Sequence, residues 1–200
     1  MDTERGADRG LEFLRGIARG CVRCPLAASR TQVVFGVGPS TARLVLLGEA
    51  PGAEEDAAGR PFVGAAGRAL DRVLASVGID RAAVYVANVV LCRPPAQPPK
   101  VNREPLAAEI EACAPYLDLQ LAVLRPSVIV AFGLTPTRRL LGPVASLDAV
   151  RGRVHAASGV LVVPTWHPSA WRWGIGRRAQ AAQDLALAAR LAGIERRSPA

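Results

Sequence analysis

The sequence predicts an α/β domain built around a parallel sheet with helices on both faces. Short apolar runs alternate with longer segments of helical periodicity, the pattern of repeated strand–helix–strand units. The runs are apolar throughout instead of alternating apolar with polar residues, as strands covered on both faces are. The residues with unusual chemistry gather just beyond the ends of these runs, where open parallel sheets bind their ligands.

The elements follow in order. Arg43 to Gly48 is a strand that stops at its glycine, and Ala65 to Val77 is a helix that stops at Gly78. Val84 to Leu91 is a second strand. Pro105 to Leu124 is a helix with one proline near its start and another, Pro126, just beyond its end. Ser127 to Phe132 is a third strand, Thr135 to Leu141 a short helix, Val160 to Pro164 a fourth strand, and Arg178 to Leu191 a closing amphipathic helix. The Pro-rich stretch from Arg93 to Asn102 reads as an extended loop. No internal repeat is present. The 200 residues suit one domain over 1–200, with an ordered core from about 21 to 191 and a frayed tail at 196–200.

Composition narrows the function classes. Half the residues are hydrophobic and 21% are charged, which is globular and not disordered. The longest stretch without Asp, Glu, Lys or Arg, Val154 to Trp171, holds two His and two Pro and is no membrane span. The first residues lack the basic start and apolar run of a signal peptide. With only four Cys, a secreted disulfide scaffold is excluded too. A cytoplasmic protein is expected. The net charge is +8, and all but one of the 25 basic residues are Arg. A GC-rich genome accounts for Arg over Lys; the excess of positive charge favours a polyanionic partner.

Cys21 and Cys24 form a C-x-x-C pair, while Cys92 ends a strand and Cys113 lies within a helix. The spacing leaves open a zinc site, a thioredoxin-like redox pair, an iron–sulfur centre or unrelated buried thiols. The segment Gly48-Glu49-Ala50-Pro51-Gly52, followed by three acidic residues at 54–56 and by Gly59 to Gly67, is neither a P-loop nor a dinucleotide fingerprint. Its glycines let a ligand approach the backbone. Phe62 is either core or a platform for a base. Asn88, among apolar strand residues, needs hydrogen-bond partners, in the backbone or in a ligand. His167 follows a strand within a rigid His-Pro-Ser turn, and His155 carries no assignment.

Taken in order, these pieces resemble the uracil-DNA glycosylase superfamily, above all its iron–sulfur family 4 branch. The matching segments are Gly48 to Gly52 with Glu55-Asp56, Gly59 to Gly64 with Ala66-Gly67, Asn88-Val89-Val90, Cys92-Arg93-Pro94-Pro95, Ala112-Cys113 with Pro115-Tyr116-Leu117, and His167-Pro168-Ser169. They span roughly Cys21 to Leu191. The resemblance implies a three-layer α/β/α fold around a four-stranded, mostly parallel sheet. It implies a [4Fe-4S] cluster on Cys21, Cys24, Cys92 and Cys113, with a structural role and no redox step. It implies release of uracil from uracil-containing DNA to leave an abasic site. A monomer is expected.

For the residues, the resemblance places Gly48, Ala50 and Phe62 against the base, Asn88 on its polar edge, and His167 as a hydrogen-bond donor to uracil O2. Ala50 stands where other branches carry a water-orienting Asp or Asn, so the resemblance implies Glu49, with Glu55, as the essential acidic residues instead, without deciding which of them orients the water. Glu55 as a brace of the loop is the alternative. Pro51 and Ser169 are expected at flanking phosphates. Trp171 or Arg172 is expected to fill the gap left by the flipped base, the alternative being that Trp171 and Trp173 both pack on the closing helix. The loop from Arg93 to Glu109 is several residues longer than family 4 implies. It holds no His, so the covalent mode of uracil-crosslinking relatives is not expected. Two other functions compete: a glycosylase for another deaminated base such as hypoxanthine or xanthine, and a non-catalytic iron–sulfur DNA-binding protein.

Overall fold

The computed structural model describes residues 2–95, 102–174 and 176–194. Much of the Pro-rich loop and the tail expected to fray lie outside the described residues. In chain order the main elements are α1 (Asp2–Arg19), β1 (Leu44–Gly48), α2 (Ala53–Ala58), α3 (Ala65–Ser76), β2 (Tyr85–Asn88), α4 (Ala107–Leu124), β3 (Val128–Phe132), α5 (Leu134–Leu141), β4 (His155–Ala157), β5 (Val160–Thr165) and α6 (Arg177–Ala192). No described helix is long and apolar enough to cross a membrane.

The sheet order is β2-β1-β3-β5-β4. The first four strands are mutually parallel, and β4 runs antiparallel along the edge of β5. This corrects the expected count of four strands to five. Ser158 (φ 49°) and Gly159 (φ 81°) join β4 to β5, the left-handed pair that a two-residue hairpin needs. β4 is partly exposed and lacks an apolar run, so hydrophobic periodicity does not reveal it.

Alternate residues of each central strand feed two separate cores. Leu44, Leu46, Val128, Val130 and Val163 pack with Leu70 and Leu74 of α3 and with Leu185 and Ala188 of α6. Val45, Leu47, Tyr85, Ala87 and Ile129 pack with Leu11 and Leu14 of α1 and Leu117 of α4. The result is the three-layer α/β/α arrangement. All five residues of both β1 and β3 are buried, which explains their unbroken apolar runs. α1, which the sequence reading did not assign, lies before Cys21. Leu11, Leu14 and Ala18 supply its buried stripe against α4 at helical spacing.

The parallel strands all point the same way. They therefore carry Gly48, Asn88, Phe132 and Thr165, and the residues that follow each, to one edge of the sheet.

Candidate active site

A cleft of about 530 Å³ opens at that edge, within the range of small-ligand sites. All the sequence-predicted catalytic, base-contacting and DNA-contacting residues except Gly48 and Trp171 line it. Gly48 lies just beneath. It is the register partner of Asn88 in the neighbouring strand. A Cβ built on Gly48 would collide with Asn88 Oδ1 and lie 2.7 Å from the Phe62 ring. Only glycine lets these two side chains close over β1.

Asn88 is 2% exposed, yet its carboxamide has no protein partner among the described residues. Its amide lines the cleft, so it presents a donor and an acceptor to whatever fills that space. Phe62 is buried in the core and also lines the cleft. Its ring stands 5.9 Å from that of Phe132 and 6.0 Å from the His167 imidazole. Its backbone is left-handed, φ 53°, at a cost on the order of 1–3 kcal/mol for a residue with a side chain. Gly67 makes room for this turn, since a Cβ there would collide with the Phe62 carbonyl.

His167 follows β5. Ser169 N–H donates to its Nδ1 at 3.3 Å, and the Ser169 hydroxyl lies 2.7 Å from the same atom. A backbone N–H can only donate, so Nδ1 is the acceptor and the neutral ring carries its proton on Nε2. Burial pushes the imidazole down to about 4. His167 is thus a neutral donor at ordinary pH.

Glu49 is partly buried, and its Oε2 accepts a 2.5 Å hydrogen bond from Thr135 Oγ1 of α5. Burial raises its pKa; the Thr135 bond opposes this and the nearby Glu104 carboxylate adds to it. Glu55 differs. Its two oxygens accept from Gly52 N at 3.1 Å and Gly64 N at 2.8 Å. These bonds pin the turn that carries Ala50 and Pro51 to the start of α3. These contacts are those of the bracing role left open for Glu55. Asp56, beside it, accepts from Thr31 N at 2.9 Å and anchors the preceding segment.

At the rim, Ser169 and Arg172 are exposed. Trp171 corrects an expectation. It is 8% exposed within the α3–α6 core, and its Nε1 donates to Trp166 O at 3.0 Å. It is unavailable to enter a duplex. Trp173 is 76% exposed, with the Arg172 guanidinium 5.3 Å from its ring centre. The sequence reading grouped the two Trp and so missed the difference. It also missed Asn102, Arg103 and Glu104, which line the cleft from the loop before α4. Arg103 is held there by a two-pronged bond to buried Glu109, 2.6 and 2.8 Å.

The four cysteines are free and line one apolar chamber with Leu26, Val90 and Tyr116. The fold thus brings all four together in space. Cys21 and Cys24 arrive after α1, Cys92 after β2 and Cys113 from α4. Arg30 Nη1 donates to Cys92 Sγ at 3.4 Å, and Leu91 N donates to Cys113 Sγ at 3.3 Å. Burial pushes the Cys113 thiol up to about 12 and raises that of Cys92. Among the described residues no three ligating side chains close on a single metal ion.

The family model of the uracil DNA glycosylase superfamily matches residues 35–188. The chain belongs to that superfamily. Among curated relatives, a Type-4 uracil-DNA glycosylase of Thermotoga maritima is 43% identical over 161 residues, 80% of this chain and 81% of that protein. One from Pyrobaculum aerophilum is 38% identical over 185 residues, 88% of this chain and 92% of that protein. A Type-5 uracil-DNA glycosylase of the same organism is 27% identical over 190 residues, 78% of this chain and 81% of that protein. Both Type-4 glycosylases exceed the Type-5 glycosylase in identity.

Proposed function

We propose that this protein is a uracil-DNA glycosylase of the iron–sulfur type. It hydrolyses the N-glycosidic bond of deoxyuridine in DNA, releasing uracil and leaving an abasic site for repair. One observation carries the reading: the Asn88 carboxamide, free of protein partners among the described residues, shares a cleft with a neutral His167 and the Phe62 ring. The superfamily match and the Type-4 relatives support it.

A base inside a duplex is out of reach, so the target nucleotide leaves the stack and enters the cleft. There Phe62 stacks on uracil, with Gly48 and Ala50 beneath the base. The Asn88 oxygen accepts from N3–H and its nitrogen donates to O4, a pattern that cytosine does not offer. As the C1′–N1 bond breaks, positive charge grows on the sugar and negative charge on the base. The Nε2–H of His167 donates to O2 as that charge develops. One such donor is worth about 3 kcal/mol of barrier. The uracil anion departs without a general acid, and a water oxygen bonds to C1′ while its proton passes to solvent. Glu49, held by Thr135, stabilises the sugar cation and orients that water.

Pro51 and Ser169 hold flanking phosphates, which position the DNA without reading its sequence. Arg172 and the exposed Trp173, not Trp171, face the gap in the duplex. Cys21, Cys24, Cys92 and Cys113 would hold a [4Fe-4S] cluster. All four line one chamber, and four thiolates are the ligand set of such a cluster. When bound, the cluster supplies a crosslink between three distant parts of the chain. The same reading takes the protein as a single-domain cytoplasmic monomer.

The test uses an oligonucleotide with one uracil, incubated with the protein, treated with hot alkali and separated by size; untreated samples are run in parallel. Cleavage at uracil with no retarded covalent band is the expected result. A retarded band would mean a crosslinking relative. Cleavage only with hypoxanthine or xanthine would transfer the reading to another base. Inertness towards all three, with DNA still bound, would leave a binding protein.

A further inference from the structure

We infer that Arg81 is a positioning residue that holds Phe62 in the conformation facing the cleft. Arg81 opens the short 3-10 turn (Arg81–Ala83) before β2, and does not line the cleft. Asp80 fixes that turn by accepting from Ala82 N at 2.9 Å. From there the Arg81 guanidinium makes three contacts. Nη2 donates to Pro61 O and to Phe62 O, both at 3.2 Å, and Nη1 pairs with Asp71 Oδ1 of α3 at 2.6 Å.

The three contacts fit one purpose. One nitrogen reaches two consecutive carbonyls, those of Pro61 and Phe62, and the backbone between them is left-handed, with Phe62 at φ 53°. Such a conformation persists only where its surroundings impose it. Gly67 leaves space for the Phe62 carbonyl, and Arg81 holds that carbonyl from solvent. Arg81 and Asp71 are both partly exposed, so the attraction between their charges is weak. What matters is the planar fork, whose fixed donors reach Asp71 and the two carbonyls together; a lysine ammonium does not reproduce it. Phe62 faces Phe132 and His167, so a slack turn lets the ring leave the wall on which uracil stacks. The inference rests on the stacking role proposed for Phe62.

The test is a double-mutant cycle in single-turnover uracil release with enzyme in excess. Arg81→Ala is expected to slow release about tenfold, the loss of one charge-assisted hydrogen bond, and Arg81→Lys to restore little. In a Phe62→Ala background, Arg81→Ala should have no further effect. An equal drop in both backgrounds, or no drop in either, overturns the inference. Urea unfolding checks that each variant folds. Should Arg81→Ala not fold, Asp71→Asn loosens the same fork, with a smaller effect and the same dependence on Phe62 expected. A second readout needs no activity. The His167 ring protons feel the Phe62 ring current and should shift in the NMR spectrum of Arg81→Ala; unchanged His167 signals would count against the positioning role. If the wild type releases no uracil, the glycosylase reading falls while the NMR arm still decides the role of Arg81.

Discussion

Gly48 and Asn88 face each other as register partners at the ends of β1 and β2, and the Asn88 carboxamide occupies the space that any side chain on Gly48 would need. The backbone of one strand therefore sets the position of the Asn88 amide on the next.

Gly48→Ala should separate activity from stability. The new methyl displaces the Asn88 amide and the Phe62 ring, both side-chain atoms, so the fold survives with a loss of about 1–3 kcal/mol. Uracil release should fall by about a hundredfold or more, because the displaced amide no longer meets the base. Urea midpoints and single-turnover rates check both halves. A fully active Gly48→Ala would refute this packing.

Asn88→Ala should cut uracil release on the order of a hundredfold or more while leaving duplex affinity nearly intact, since the amide reads the base and not the backbone. Rates and gel-shift affinities measured on the same oligonucleotide decide it. Wild-type activity in this variant would rule out the assignment of the pocket.

The pH dependence of stability follows from His167. Its folded value is about 4, against 6.5 for the ordinary side chain. Between these values the unfolded chain takes up a proton that the folded protein refuses, so this group makes stability fall as pH drops through that window. His167→Gln should flatten the slope of unfolding free energy against pH between about 4 and 6.5. An unchanged slope would mean that the ring is not held neutral. Glu49, with its raised value, should set the acid limb of the rate profile above the ordinary carboxylate range, and Glu49→Gln should remove that limb.

Cys113→Ser should lose iron and thermal stability together, because Cys113 reaches the chamber from α4 while its three partners come from elsewhere. Full iron content, measured by chemical assay and visible absorption, would remove Cys113 from the ligand set.

The two tryptophans should part company. Trp171→Ala opens a cavity in the α3–α6 core and should cost about 3–5 kcal/mol. Trp173→Ala removes an exposed ring and should leave the unfolding transition in place while weakening uracil release from double-stranded DNA more than from single-stranded DNA. Equal effects of both substitutions on unfolding would contradict the burial difference.

Much of this was legible in the residues. The buried strands announce themselves because every position of β1 and β3 faces a core. Their glycine and polar ends mark the edge where the cleft lies. The pieces from Gly48 to His167 carry the family by type and order, a property of the linear chain. The helix α1 and the edge strand β4 escaped this reading. One carries a narrow apolar stripe among charges, and the other owes its pairing to a Ser-Gly hairpin.

The sequence by itself determined the fold class, the family and the candidate residues, because hydrophobic period and motif spacing are local properties. Only the tertiary structure decided which of them meet and what each one touches. It brought four cysteines separated by up to 92 positions into one chamber. It also committed Glu55 to two backbone amides, left the Asn88 amide open, set the tautomer of His167 and buried Trp171 while exposing Trp173. Each of these depends on which backbone donor or apolar surface the folded chain brings alongside, and neighbours distant in sequence leave no local trace.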